Sequence, residues 1–199
     1  MMLIEESTVP DAALPVAQFK SHLRQGTGFA EVDLQNAVLS GFLRAAIAAI
    51  EARTGKVLIS RVFSWTLPGW RDREGQGLPV APVSGLVQVV MIDKGATETD
   101  LPLELFRLEQ DSQRPVLRPL GTLLPVVPTG WSVRLRFTAG YAADWQALPA
   151  DLGQAVLLLA AHYYEYRNET ALSDGCMPFG VTSLVQRYRP MRLTPGYGQ

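Results

Sequence analysis

Ser132-Val133-Arg134-Leu135-Arg136-Phe137-Thr138 alternates without a break, with Val133, Leu135 and Phe137 on one side and Arg134 and Arg136 on the other. A period of two over this length predicts a strand with one face against a core. Working back from it, residues 56–140 share that period and are thick with turn residues. Residues 57–65 are β-rich, and Leu67-Pro68-Gly69-Trp70 turns the chain. Residues 71–77 are polar and contain glycine, which predicts an exposed loop. Residues 86–92 form a hydrophobic run closed by Asp93-Lys94-Gly95, and further strands are expected over 103–108, 116–118 and 123–127. Short strands at close spacing predict a small antiparallel sheet or barrel.

On either side the period becomes helical. Residues 30–53 carry Glu31 and Asp33 in a first turn, Arg53 in a last turn and Gly55 just beyond, as the helix dipole and C-cap preferences require. Asp33, Asn36, Ser40, Arg44 and Glu51 make a narrow polar stripe. Apolar residues, Leu39, Leu43 and Ile47 among them, cover more than half the circumference, where a one-sided helix needs only about 100°. Ala45, Ala46, Ala48 and Ala49 leave room for a close neighbour. Residues 149–169 predict a second helix, with Pro149 at a favoured first position and Asp151 in the first turn. Leu152, Val156, Leu159 and Tyr163 line one face. Leu157, Leu158, Ala161 and Tyr164 line much of the other. Both helices read as buried from two directions, either against neighbouring copies or beneath the β segment of the same subunit. A short helix is expected where Val16, Phe19 and Leu23 share a face, and another over residues 181–188, stopped by Pro190.

Composition narrows the class. The 199 residues hold 18 Lys+Arg against 19 Asp+Glu, 47% hydrophobic and 19% charged residues, which describes a chain with a core rather than a disordered one. A net charge of −1 argues against a dedicated nucleic-acid binder. Cys176 is the single cysteine, so no internal disulfide forms. The longest apolar run, residues 155–161, falls far short of the ~18 needed to span a bilayer, and the absence of Lys and Arg before Lys20 leaves no readable secretory signal. A protein of a reducing compartment, without a membrane, is expected.

Chemistry is sparse. His22 and His162 are the two histidines. His162, Glu165 and Glu169 share a helix side, yet the spacing of a metal site is missing and a polar helix edge is the better reading. Cys176 sits in a Gly/Pro loop without a histidine nearby. No nucleophile elbow, Walker loop or strand-linked G-x-G-x-x-G is present. Trp65, Trp70, Trp131 and Trp145 fall near turns and read as covers of a small core, since stacking platforms come with a basic groove. Arg134 and Arg136 form the one basic strand face and read as solvated. The C-terminal residues Arg187, Tyr188, Arg189, Met191, Arg192 and Leu193 interleave charge with apolar groups, which suits a docking peptide. No catalytic, cofactor-binding or metal residue is assigned.

Several segments, in order, carry a resemblance. Ile50-Glu51-Ala52-Arg53-Thr54-Gly55 leads into Trp65-Thr66-Leu67-Pro68-Gly69-Trp70, then Leu78-Pro79-Val80-Ala81-Pro82-Val83 and Ile92-Asp93-Lys94-Gly95. Val133-Arg134-Leu135-Arg136-Phe137-Thr138-Ala139-Gly140-Tyr141 follows, then Leu148-Pro149-Ala150-Asp151-Leu152, Tyr163-Tyr164-Glu165-Tyr166-Arg167 and Leu184-Val185-Gln186-Arg187-Tyr188-Arg189. Across about residues 30–190 the chain resembles the head–tail connector (adaptor) proteins of long-tailed phages and phage-derived gene transfer agents. The loop after Trp70 departs from the shorter proline-rich link of that family. The resemblance implies an α+β fold: a helical connector core, two long helices plus short flanking ones, with an antiparallel β-rich insertion. It would be one connector domain over 1–199, divided into an N-terminal arm (1–14), a helical part (15–55), the β-rich insertion (56–140), a second helical part (149–190) and a C-terminal tail (191–199).

The implied function is structural, not enzymatic. A homo-oligomeric ring, about twelve copies, would sit at the capsid vertex of the assembled particle after synthesis in the bacterial cytoplasm. It would join the portal protein to stopper or tail-terminator proteins, with DNA passing non-specifically through its channel and no cofactor. Residues 187–199 would dock on the portal. Leu39, Leu43, Ile47, Leu157, Leu158, Ala161 and Tyr164 would carry subunit contacts. The alternatives are a small soluble α+β enzyme with an unrecognised site, a tail or head-closure completion protein, and a nucleic-acid module using Arg134 and Arg136.

Overall fold

The computed structural model describes residues 2–23, 32–167 and 177–189. The alternating stretch Ser132–Thr138 belongs to a central strand. It runs Ser132–Ala139, and its inward residues Val133, Leu135, Phe137 and Ala139 are fully buried. Numbered along the chain, β1 is Met2–Glu5, β2 Arg61–Leu67, β3 Gln76–Gly77, β4 Val83–Ile92, β5 Glu98–Leu101, β6 Phe106–Glu109, β7 Val116–Pro119 and β8 Ser132–Ala139. A five-stranded antiparallel sheet has the order β1-β2-β8-β4-β5, and a three-stranded one the order β3-β7-β6. Phe63 of β2 stands opposite Phe137 of β8, their rings stacked 6.0 Å apart. Two register shifts, at Val83/Gly85 and Leu86/Gln88, bend β4 along β8. The α-helices are α1 Val16–His22, α2 Val32–Thr54, α3 Ala150–Glu165 and α4 Phe179–Val185.

This corrects the expected fold class. The chain is not a helical connector core carrying a β insertion. It is β-rich, with eight strands in two antiparallel sheets and four α-helices among the described residues, two of them only seven residues long. The larger sheet is not enclosed between helices, because β1 precedes α1 and pairs with β2 in register, Leu3 opposite Trp65. The strands also bury a core of their own, built on Phe63, Trp65, Val89, Leu117, Leu135 and Phe137. The expectation misses β1 and β5 for a physical reason: as sheet edges they bury almost nothing, so alternation has no core to register against. Residues 123–127 form no strand. Pro125 and Pro128 lack ladder donors, and Leu124 N–H instead donates to the Arg73 carbonyl at 2.8 Å. The exposed loop expected over 71–77 instead ends in β3, which pairs with β7: the Gln76 side chain is buried, accepts the Arg71 N–H at 2.9 Å and donates to the Gly77 carbonyl.

The helices gather a second core around Leu39, Leu43, Ile50, Leu152, Val156 and Leu159. α2 lies against α3, and α4 closes on α3 through the buried Val181 and Val185. One ionic joint ties this core to the sheet. Glu51, in the last turns of α2, accepts the Leu58 N–H at 2.7 Å and two N–H groups of Arg61 at 2.9 and 2.6 Å. Arg61 also reaches Glu5 at the end of β1, donating from Nη2 at 3.1 Å, while its Nε lies 2.7 Å from Glu5 Oε1 out of line for a hydrogen bond. Burial alone would lower the Arg61 pKa. The hydrogen bonds and charges of Glu51 and Glu5 outweigh it and raise it. Lys56 is 2% exposed, and burial holds its ammonium below the usual value, partly offset by Asp111.

Candidate assembly surfaces

The helix faces are the first place to look for contacts. α2 and α3 meet through their large residues, because leucine and isoleucine at helical spacing remove the most apolar area when they face each other. Leu39, Leu43 and Ile47 on α2, and Leu157 and Ala161 on α3, are therefore buried inside the chain's own core. These five, expected at subunit contacts, pack within the chain's own core. Leu158 and Tyr164 are half-buried, and the Tyr164 ring is met edge-on by Phe42 at 5.8 Å and covered by the Arg167 guanidinium at 4.9 Å. The two-sided burial read from the sequence holds for α3, where Leu152 and Val156 on one face and Leu157 and Ala161 on the other are all buried within the chain, whereas α2 is covered on one side. The second face of α2 presents Ala37, Val38, Gly41, Ala45, Ala48 and Ala52 to solvent, with Val38 51% exposed, so neither sheet covers it.

The C-terminal docking residues divide. Arg187 and Tyr188 form a 3-10 turn after α4 and are used within the chain. The Tyr188 hydroxyl donates to Asp151 Oδ1 at 2.8 Å and accepts from Arg187 Nη2 at 2.5 Å, and that guanidinium pairs with Asp151 Oδ2 at 2.8 Å. The Tyr188 ring is 7% exposed and meets Tyr141 edge-on at 5.6 Å. Burial pushes the Tyr188 phenol above its usual range, against the pull of Arg187, so it keeps the proton it donates. Arg189 is exposed. Met191, Arg192 and Leu193 lie outside the described residues, as do Cys176 and Glu169. Sequence reasoning misses Asp151 and Tyr141 as partners of this turn. Their only signal is a helix-opening acid and a tyrosine in the turn that follows β8.

The arginine face of β8 is neutralised. Arg136 pairs with Glu6 at 2.7 Å and donates to Gln88 Oε1 at 3.1 Å. Arg134 pairs with Glu98 of β5. The acids come from the two edges of the sheet, Glu98 on β5 and Glu6 just after β1, each one strand removed from β8, which the period of β8 alone cannot show. Of the tryptophans, Trp65 is buried in the β core, Trp70 donates to the Pro125 carbonyl at 2.7 Å and Trp145 donates to Gln18 at 2.7 Å. The His162 ring lies tilted at 46° against Tyr166, centroids 4.7 Å apart, and no group of three His, Cys, Asp or Glu among the described residues could hold a metal ion. No described helix is long and apolar enough to cross a membrane.

The largest exposed apolar groups sit at opposite cores. Phe179, opening α4 beside the helical core, is 86% exposed. Leu120 and Val126, in the loop after β7 beside the β core, are 62% and 64% exposed.

Comparison with known proteins places the chain among the structural components of a particle. No protein-family model and no curated protein matches the chain. Solved structures do. A chain from the neck of an empty GTA particle computed with C6 symmetry is 49% identical, with a TM-score of 0.89 over 100% of both chains. One from the virion of a native gene transfer agent (GTA) particle is 49% identical, with a TM-score of 0.86 over 98% of this chain and 99% of that one. A third, from the neck of a native GTA particle computed with C12 symmetry, is 46% identical, with a TM-score of 0.84 over the full length of both. With identity of this order along its whole length, the chain belongs to the family of structural proteins that make up the neck of gene transfer agent particles, and its place is in the assembled particle.

Proposed function

We propose that this chain is the ring-forming head–tail connector of a gene transfer agent, a non-enzymatic adaptor that joins the portal protein to stopper or tail-terminator proteins. The observation that carries the reading is full-length similarity, at 46–49% identity, to chains of particle necks computed with cyclic symmetry. A subunit of such a ring repeats a heterologous contact around the axis. The exposed apolar groups beside both cores suit a part with a different partner at each end. The paired arginines of β8 suit a wall past which DNA moves, since free cations would hold phosphates through counterion release. On this reading residues 1–199 act as one connector domain and Arg189, Met191, Arg192 and Leu193 meet the portal.

Mass photometry of the purified chain, alone and with its portal ring, tests this. A complex of about a dozen subunits on the portal, lost when residues 187–199 are removed, is the expected result. A chain that stays monomeric in the presence of the portal would sink the connector reading.

A further inference from the structure

The turn after α4 is held more firmly than a peptide that only waits for a partner needs to be. Three side chains close a triangle. Arg187 donates to the Tyr188 oxygen, Tyr188 donates to one oxygen of Asp151, and Arg187 pairs with the other oxygen. Charge-assisted bonds of this kind are about twice as strong as neutral ones. The Arg187 guanidinium also lies over the Tyr188 ring, 4.7 Å from its centroid. The base of the triangle does not move easily. Asp151 stands in the first turn of α3, whose Leu152, Ala155 and Val156 are fully buried, and Tyr141 backs the Tyr188 ring. On the other side, α4 is fixed to the same core by Val181 and Val185. Arg189, one residue on, faces solvent.

We propose that Asp151, Arg187, Tyr188 and Tyr141 form a positioning clasp. They hold the turn Gln186–Tyr188 on α3 so that Arg189, and the docking segment it begins, start from a fixed point. Arg187 and Tyr188 are the anchor, not the docking groups. A short segment that starts from a fixed anchor has less freedom to lose on binding and reaches a nearby site at a higher effective concentration. This rests on the docking role proposed for the C-terminal segment, and deepens it by separating the residues that aim the segment from those that touch the partner.

The test uses the full chain and two readouts: hydrogen exchange of the amides in residues 179–189 in the free protein, and capture by a purified portal ring followed by light scattering. Tyr188→Phe keeps the ring against Tyr141 and removes the hydroxyl. Asp151→Asn removes the charge. Both are expected to raise exchange over residues 186–189 by about tenfold, the cost of a charge-assisted bond, without loosening α2 or β8, and to weaken capture in parallel. Arg189→Gln is expected to leave exchange unchanged and still weaken capture. If Asp151→Asn fails to fold, Tyr188→Phe decides. Unchanged exchange in Tyr188→Phe would show that no clasp exists. Raised exchange with full capture would show that the clasp positions nothing. Full capture by a chain lacking residues 190–199, or no capture of the unaltered chain, overturns the docking reading, and the positioning role with it. The exchange data would then still report whether the clasp itself forms.

Discussion

The two cores of this molecule are gathered from the sequence in opposite ways. The β core draws all its buried residues from Val57 to Ala139, one unbroken stretch. The helical core takes Val9, Leu14 and Phe19 from ahead of α2, Leu58, Ile59 and Ala142 from the edges of the β region, and Val181, Val185 and Tyr188 from the end of the chain. One is nearly self-contained and the other is closed by both ends of the chain. The difference teaches where a contact protein can change without losing its fold: loosening residues 179–189 disturbs the helical end alone, whereas loosening the N-terminal segment also strips the edge strand β1 from the larger sheet. It also makes the joint between the cores, Glu51 with Arg61, the place where the two fates are tied together.

Breaking that joint should have the largest effect. Glu51→Ala strips a buried guanidinium of its main partner and leaves the Leu58 N–H without its acceptor. Removing one member of a buried pair costs about 3–5 kcal/mol. Urea unfolding should show a loss of that order, and a loss below about 1 kcal/mol would mean the two cores hold together without the ion pair.

A matched pair of core truncations sharpens the comparison. Leu43→Ala in the helical core and Leu135→Ala in the β core remove the same atoms from fully buried sites. Each is expected to cost about 2–5 kcal/mol. Their local consequences should differ. Leu43→Ala should raise hydrogen exchange in residues 9–23 and 179–189, the two end segments that close its core, whereas Leu135→Ala should leave those segments protected. Equal loosening of both ends by both variants would refute the division.

Gly140 gives a smaller, backbone version of the same test. It follows β8 where the chain passes from sheet to helical core, with φ at +149°. A Cβ there would stand 2.3 Å from the Ser60 Cα, and that atom belongs to the backbone and cannot turn aside. Gly140→Ala is expected to cost about 1–3 kcal/mol, read as a drop in melting temperature.

What the sequence disclosed follows from the same asymmetry. Ser132–Ala139 reads correctly because a central strand with one buried face imposes alternation on every residue. The helical period over Val32–Thr54 is equally local, but which of its apolar residues face inward is not. Leu39, Leu43, Ala46 and Ile47 are claimed by the chain's own core and Ala45 and Ala48 are left outside, a choice made by α3 and not by α2. The weight of the sheets was hidden in Met2–Glu5 and Glu98–Leu101, whose pairing partners lie far away in sequence or whose side chains face water. The docking residues show both limits at once. The charges of Arg187 and Arg189 are plain in the sequence, yet that Arg187 is tied down by an acid 36 positions earlier needs the fold.

The smallest effect is expected on the β8 face, and it bears on the β end as a surface rather than a core. Arg136 is an exposed arginine held by Glu6, with Gln88 on its other side. Exposed pairs contribute under about 1 kcal/mol, so Arg136→Gln should barely move the unfolding midpoint. Its effect on DNA should also be nil. A cation free to neutralise a phosphate contributes about 0.9 to the slope of log affinity against log salt, whereas one already neutralised by a carboxylate contributes little. The informative variant is therefore the partner. Glu6→Gln releases Arg136 without touching either core, and should raise non-specific DNA retention at low salt while Arg136→Gln leaves it where it was. If both variants behave alike, the acid is not what keeps this face indifferent to DNA, and the neutral-wall reading of the β end loses its physical basis.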